Sequence, residues 1–346
     1  MDLESLYRAV EQAVSSLDFS RIWPGFAPLK FALYDAGKCF FNGRYVEKTD
    51  DFCANTSINY RGEQIAIWMV QEELPLPVLT SKLVHEMFHG FQTLRGWDCW
   101  PDEMEALRRY RYDAENLCLK LRENELLLSL LDRFDAAAFR ECMALRKYRS
   151  EAFPFEFSYE CKVEEIEGTA NYVEWQVLKQ LDGPAAAALA DRMRETVKRP
   201  GALFPIRISC YFTGALMIHA MRQAGTYDFE PAERPAPLRI LRAAPASDGS
   251  FAGKEACFRR VSDAVASYRE ETETIIRSAL ERADVAAEGP LELGFVNIYN
   301  ARYHDGYVIT TYFLMVRDGA EEKMLAGNFV VRMRDEKTID KVYRWG

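Results

Sequence analysis

The chain reads as an α+β protein: a twisted β-sheet near the N-terminus, a helical catalytic body, and a small antiparallel β-module at the C-terminus. Three observations lead there. Between residues 31 and 70, short β-rich runs are separated by turn dipeptides. From about residue 80 to about 283, apolar residues recur mainly at helical spacing. From residue 291 onward they alternate, with glycine turns between the runs.

Element by element, residues 1 to about 20 form an amphipathic helix with Leu3, Leu6, Val10, Val14 and Leu17 on one side. Strands are expected at 31–34, 39–46 and 64–70, separated by Gly37, Asn42-Gly43 and Arg61-Gly62, which favour hairpins. Pro75 and Pro77 end the extended region. A helix of about four turns then starts with Thr80 or Ser81 as its cap and carries Leu83, Val84, Met87, Phe88 and Phe91 on its apolar side.

Residues 102–152 read as two long helices broken near 132–135, with i,i+4 charge pairs such as Glu105 and Arg109. Plain packing is their expected role, with a lid or wall over a cleft as the alternative. Further helices are expected at 156–181, at 185–198 and at 208–223, the last ending at Gly225. A Pro- and Ala-rich stretch at 231–245 precedes a long helix at 255–283. Glu288-Gly289-Pro290 then divides a domain at 1–287 from the β-module at 288–346. In that module strands are expected at 291–302, 307–316, 323–334 and 338–345.

Composition suits a globular enzyme, with 49% hydrophobic and 28% charged residues. A net charge of −9, from 44 basic and 53 acidic residues, argues against nucleic acid and anionic membrane surfaces as partners. No apolar run approaches the roughly 20 residues that span a bilayer. The start Met1-Asp2-Leu3-Glu4 lacks the basic-then-apolar pattern of a signal peptide, and eight cysteines occur without a C-x-x-C pair. A cytoplasmic protein with free thiols is expected.

The chemistry centres on His85-Glu86-Met87-Phe88-His89, an H-E-x-x-H motif. Four residues of α-helix advance about 400° and rise about 6 Å, so His85 and His89 project from one face as two legs of a tetrahedral zinc site. Glu86, beside that face, can take a proton from a zinc-bound water and pass it to a leaving amine. With four histidines in 346 residues, a chance occurrence of the motif is rare.

A third ligand must come from elsewhere. The metzincin continuation fails, because Gln92 holds its glycine position and Arg95 its third histidine position. Downstream, Glu167-Gly168-Thr169-Ala170 is an E-G-x-A element within a predicted helix. The pairing of H-E-x-x-H with a later E-G-x-A resembles gluzincins, the thermolysin-like and aminopeptidase-like zinc peptidases. The resemblance implies a gluzincin-like catalytic body in which Glu167 is the third zinc ligand, with small residues at Gly168 and Ala170 letting the two helices approach.

Glu164 lies a turn before Glu167, and Asn171 a turn after it, where in thermolysin-like enzymes an acidic residue holds a metal-binding histidine and where an asparagine carbonyl oxygen can accept an imidazole N–H. Both are therefore candidates for the layer around the ligands. Tyr211-Phe212-Thr213-Gly214-Ala215 resembles the aminopeptidase-like Y-x-x-G-A element, which implies that the Tyr211 hydroxyl stabilises the oxyanion. The G-x-M-E-N motif of aminopeptidases is absent, and 78 residues separate His89 from Glu167. The resemblance thus covers residues 60–100 and 155–225 and implies a clan.

The expected function is zinc-dependent hydrolysis of peptide bonds in a peptide or protein substrate. Two alternatives carry the same ligands: hydrolysis of a non-peptide amide or ester, and a binding or scaffold protein whose zinc is structural. The presence of Glu86 separates the enzyme readings from the scaffold.

Overall fold

The structure, a computed structural model, describes residues 2–226 and 241–346. The Pro- and Ala-rich stretch lies, up to residue 240, outside the described residues. Helix α1 (Leu3–Ser15) is capped by Asp2, whose side chain accepts the Ser5 N–H, and buries Leu3, Tyr7, Val10 and Val14. A single turn, α2 (Phe19–Ile22), follows.

The first sheet has the order β3-β2-β1-β5-β4, built from β1 (Phe31–Tyr34), β2 (Cys39–Phe41), β3 (Arg44–Val46), β4 (Thr56–Tyr60) and β5 (Glu63–Met69). β1 and β5 run parallel; the other pairs are antiparallel. The expected strand 39–46 is a tight hairpin, with Asn42 and Gly43 both at positive φ as a two-residue turn requires. Strand β4 has no counterpart in the sequence reading. It lies at the sheet's edge, half exposed, so its Thr-Ser-Ile-Asn-Tyr sequence needs no apolar alternation.

Helix α3 (Leu76–Leu94) packs on this sheet and runs 19 residues, a turn longer than expected. It starts at Pro75, with Pro77 in the first turn where a missing N–H costs nothing. Thr80 and Ser81 are therefore buried inside the helix and do not cap it. A Cβ at Gly90 would lie 2.5 Å from Leu29 Cδ1 and 2.7 Å from Ser57 Oγ, so glycine sets how closely α3 approaches the sheet.

The helical body comprises α4 (Glu103–Arg109), α5 (Ala114–Asp132), α6 (Ala136–Ala152), α7 (Pro154–Val163), α8 (Thr169–Leu181), α9 (Gly183–Val197) and α10 (Ile206–Gln223). The break between α5 and α6 falls where the sequence places it, with Asp135 capping α6. The expected single helix 156–181 is α7 and α8 joined by a π-helical turn at Glu164–Gly168. Leu119, Leu126, Leu127, Leu130, Phe139 and Leu145 of α5 and α6 are buried in the main core.

Helix α11 (Lys254–Arg282) leads to a second, wholly antiparallel sheet of order β10-β9-β6-β12-β11-β8-β7. Its strands are β6 (Val285–Val296), β7 (Arg302–His304), β8 (Tyr307–Thr310), β9 (Phe313–Asp318), β10 (Glu321–Ala326), β11 (Phe329–Met333) and β12 (Thr338–Arg344). β6 (Val285–Val296) runs through Glu288-Gly289-Pro290, where its register with β12 shifts, so the sheet begins at residue 285. The expected strands 307–316 and 323–334 are each split in two, at Tyr312 (φ 69°) and Gly327 (φ 129°). Met104 and Leu107 of α4 pack against this sheet's core, and Ile276 and Ala279 of α11 pack with its Ile309 and Val330. All eight cysteines are free thiols. No helix among the described residues is long and apolar enough to cross a membrane.

Candidate metal centre

α3 presents His85 and His89 on one face, and the π-helical turn presents Glu167 opposite them. The His85 and His89 Nε2 atoms are 3.1 Å apart. Glu167 Oε2 lies 3.3 Å from His89 Nε2 and 3.9 Å from His85 Nε2. These separations place the three atoms on a circle of radius about 2.0 Å, the product of the sides over four times the triangle's area. Zinc bonds to imidazole and carboxylate are about 2.0–2.2 Å, so these three side chains would hold a zinc ion. Among the described residues this is the one group of three or more His, Cys, Asp or Glu side chains with ligand atoms so converged.

The electrostatics favour a cation there. Burial works against charge on Glu167, yet His89, Arg207 and His85 outweigh it and hold the carboxyl at about 2. Burial also disfavours a cationic His89, but the adjacent Glu167 pulls its pKa up to about 9. The site therefore draws positive charge between these side chains, and a divalent ion can supply it once the imidazole proton leaves.

His89 and Glu167 are hydrogen-bonded from behind, and His85 faces a carboxylate. His89 Nδ1 meets Gln92 Oε1 at 2.8 Å, and the Gln92 amide donates to Ile166 O at 2.8 Å and Thr169 Oγ1 at 3.0 Å. One side chain thus ties the α3 histidine to the turn that carries Glu167. Glu174 Oε2 lies 3.4 Å from His85 Nδ1, with Glu174 Oε1 3.5 Å from Lys82 Nζ. Arg207 donates to Glu167 Oε1 at 2.7 Å, leaving Oε2 for the histidines, and also pairs with Glu103.

Glu164, expected beside the ligands, is placed differently. Its carboxylate accepts from Lys120 at 2.7 Å, Arg146 at 2.7 Å and Thr213 at 2.7 Å, within a buried ionic cluster that includes Glu123, Arg149 and Glu160. Lys120 and Arg146 outweigh burial and keep the carboxyl far below its usual range. Glu164 is an anchor for the turn and touches neither histidine. The turn is wedged from its other side by α10: a Cβ at Gly168 would lie 2.5 Å from Gly214 Cα. The small residue at 168 serves α10, not the α3 contact expected from sequence.

A cleft of about 410 Å³ opens beside His85, lined by His85, Glu86, Asn171, Glu174, Tyr211 and Tyr299 among others. Glu86 is not in the ligand triad and faces this cleft, where burial raises its pKa despite the neighbouring histidines. Asn171 lines the cleft too, and the group facing His85 Nδ1 is Glu174, a turn further along α8. The Tyr211 hydroxyl accepts from Arg207 at 3.1 Å and lies 2.9 Å from the Tyr299 hydroxyl. Burial, then Glu167, raises the Tyr211 pKa, so its proton stays on as a donor. Nothing from 114–152 lines the cleft, so α5 and α6 do not wall it; the 102–152 segment reaches the site through Glu103, which pairs with Arg207, and through Lys120 and Arg146, which hold Glu164 of the turn that carries Glu167.

Five residues around the site were given no site role from the sequence. Gln92 sits three residues from His89, a spacing that could have flagged it, and Glu174 continues the helical spacing of Glu160, Glu164 and Glu167. Arg207, Glu103 and Tyr299 come from other elements and leave no local pattern. Comparison of the chain with known protein families, curated proteins and solved structures returned no match.

Proposed function

We propose that the chain is a zinc-dependent hydrolase of peptide bonds, with chemistry similar to that of gluzincins. The observation that carries this reading is the convergence of His85, His89 and Glu167 on a zinc-sized circle with Glu86 in the adjoining cleft. Zinc held by those three side chains supplies a Lewis acid, which lowers the pKa of a water to about 7 and polarises a carbonyl.

The remaining work falls to the chain. Glu86 takes the proton of the attacking water and returns it to the leaving amine, and burial makes its carboxylate a stronger base than an exposed one. Tyr211 donates its hydroxyl proton to the oxyanion that forms at the scissile carbonyl. Gln92 and Glu174 fix the imidazoles, and Arg207 fixes the carboxylate. Trp68, Leu189, Ile208 and Phe212 supply apolar cleft surface, which suits an uncharged side chain next to the scissile bond.

The test is digestion of a peptide library by zinc-loaded protein, with cleavage sites mapped by mass spectrometry, before and after chelation. Cleavage beside apolar residues that stops on chelation and returns with zinc supports the reading. Loss of the metal without change in cleavage, or no cleavage at full zinc loading, overturns it.

A further inference from the structure

The second tyrosine of the site comes from the C-terminal sheet. Tyr299 lies between β6 and β7, in a turn fixed by its own hydrogen bonds. Asn297 N donates to Thr310 Oγ1 at 3.2 Å, Tyr299 N to Asn297 Oδ1 at 3.3 Å, and Asn300 N to Asn297 O at 3.1 Å. Next to it, Ala301 is buried and Arg302 is tied to Glu271 and Thr272 of α11. The turn is therefore mounted on the sheet and α11 as a fixed piece. α4 clips it to the body: Glu103 pairs with Arg207, while Met104 and Leu107 pack on the sheet's core.

Hydroxyl bookkeeping gives this placement a consequence. Tyr211 has one proton and two acceptor sites. Arg207 can only donate, so it occupies one acceptor site. When Tyr211 donates its hydrogen bond to an oxyanion, its oxygen gains electron density and the second acceptor site becomes the stronger one. The Tyr299 hydroxyl, 2.9 Å away, can rotate to donate there. The Arg207 guanidinium carbon lies 5.3 Å and 5.9 Å from the centres of the Tyr211 and Tyr299 rings, holding both against one cation.

We propose that Tyr299 is a positioning residue for hydrolysis: its hydroxyl supports Tyr211 as the oxyanion donor, which makes the C-terminal sheet part of the active site. This rests on the hydrolase reading above. Tyr299 is 47% exposed, so Tyr299→Phe removes one hydroxyl without disturbing the core.

The test is a double-mutant cycle of Tyr299→Phe and Tyr211→Phe in zinc-loaded protein, read in two ways. The first is peptide hydrolysis: Tyr299→Phe should lower kcat about ten-fold, the worth of one hydrogen bond, with KM within about two-fold. In the Tyr211→Phe background it should lower kcat no further. The second is affinity for a phosphinic peptide, whose tetrahedral anionic centre mimics the oxyanion, against the matching uncleaved peptide bound by Glu86→Gln protein. Tyr299→Phe should weaken the phosphinate about ten-fold, only when Tyr211 is present, and leave the plain peptide unchanged. An unchanged kcat, an equal loss in the Tyr211→Phe background, or a change confined to KM would overturn the proposal while leaving the hydrolase reading standing. Wild-type protein that hydrolyses nothing yet binds the phosphinate with this dependence would overturn the hydrolase reading and keep the tyrosine pair. Absence of both hydrolysis and phosphinate binding would end both.

Discussion

At the scale of single residues, Glu164 and Glu167 show how two carboxylates three residues apart take unrelated jobs. Both were legible as candidates because they share a helical face near an H-E-x-x-H partner. What separates them is the identity of their neighbours, and Lys120 and Arg146 lie 44 and 18 residues from Glu164 in the chain, beyond any local pattern. Glu164→Gln removes the nearest of the carboxylates around those buried cations, leaving Glu160 and Glu123 at 3.4 Å, and should cost about 3–5 kcal/mol of stability, measured by urea unfolding of zinc-free protein. Glu167→Gln should instead cost zinc affinity more than stability, since it removes a ligand at the cleft; the reverse ranking would exchange their roles. Gln92→Ala should weaken zinc binding about 10- to 100-fold, as expected for a residue that orients a ligating imidazole, and titration with a competing chelator measures it. His219 packs against the Trp175 ring; burial, with Lys179 and Arg222 nearby, lowers its pKa to about 4. The unfolded chain therefore binds a proton that the folded one refuses. Stability from this source is intact above about pH 6.5 and is lost as pH falls toward 4. His219→Gln should flatten that part of the profile, and urea midpoints from pH 7 to 4.5 that run parallel to wild type would contradict it.

At the scale of elements, the site depends on the π-helical turn more than on either helix it joins. A helical pattern across 156–181 was legible, but one extra residue in a turn changes no hydrophobic period that the sequence displays. The turn is gripped on three sides: Glu164 by the α5–α6 cations, Ile166 O and Thr169 by Gln92, and Gly168 by Gly214 of α10. Gly214→Ala tests the last grip. Its Cβ would lie 2.6 Å from Glu164 O and 2.7 Å from Gly168 Cα, both backbone atoms with no rotamer to escape into. The turn must move, so the variant should lose about 1–3 kcal/mol of stability. Zinc affinity should fall with it, because Glu167 rides on the turn. Unaltered stability and zinc affinity together would show that the turn tolerates displacement.

At the scale of the whole molecule, helices α5 and α6 are structural. Residues 102–152 separate the two halves of the metal motif, and the sequence left open whether they pack or wall a cleft because it could not say which way the apolar faces point. The structure buries those faces in the main core, so a chain lacking 114–152 should give no cooperative unfolding transition by circular dichroism; a folded variant would contradict the assignment. The order of sheet, helices and second sheet was legible from periodicity. The splitting of the late strands was not, since residues such as Tyr312 adopt positive φ without any turn signature. Nor was the reach of the second sheet into the cleft, which one tyrosine in a chain of 17 accomplishes.

The most direct measurement compares wild type with Glu86→Gln, recording zinc content and peptide hydrolysis on the same samples. Glu86 faces the cleft and is not part of the ligand triad, so the variant should retain close to one zinc per chain while hydrolysis falls by about two to four orders of magnitude, the span for losing a positioned acid–base group. Equal hydrolysis by both proteins at equal zinc content, or wild-type protein that binds zinc and cleaves nothing, would contradict it.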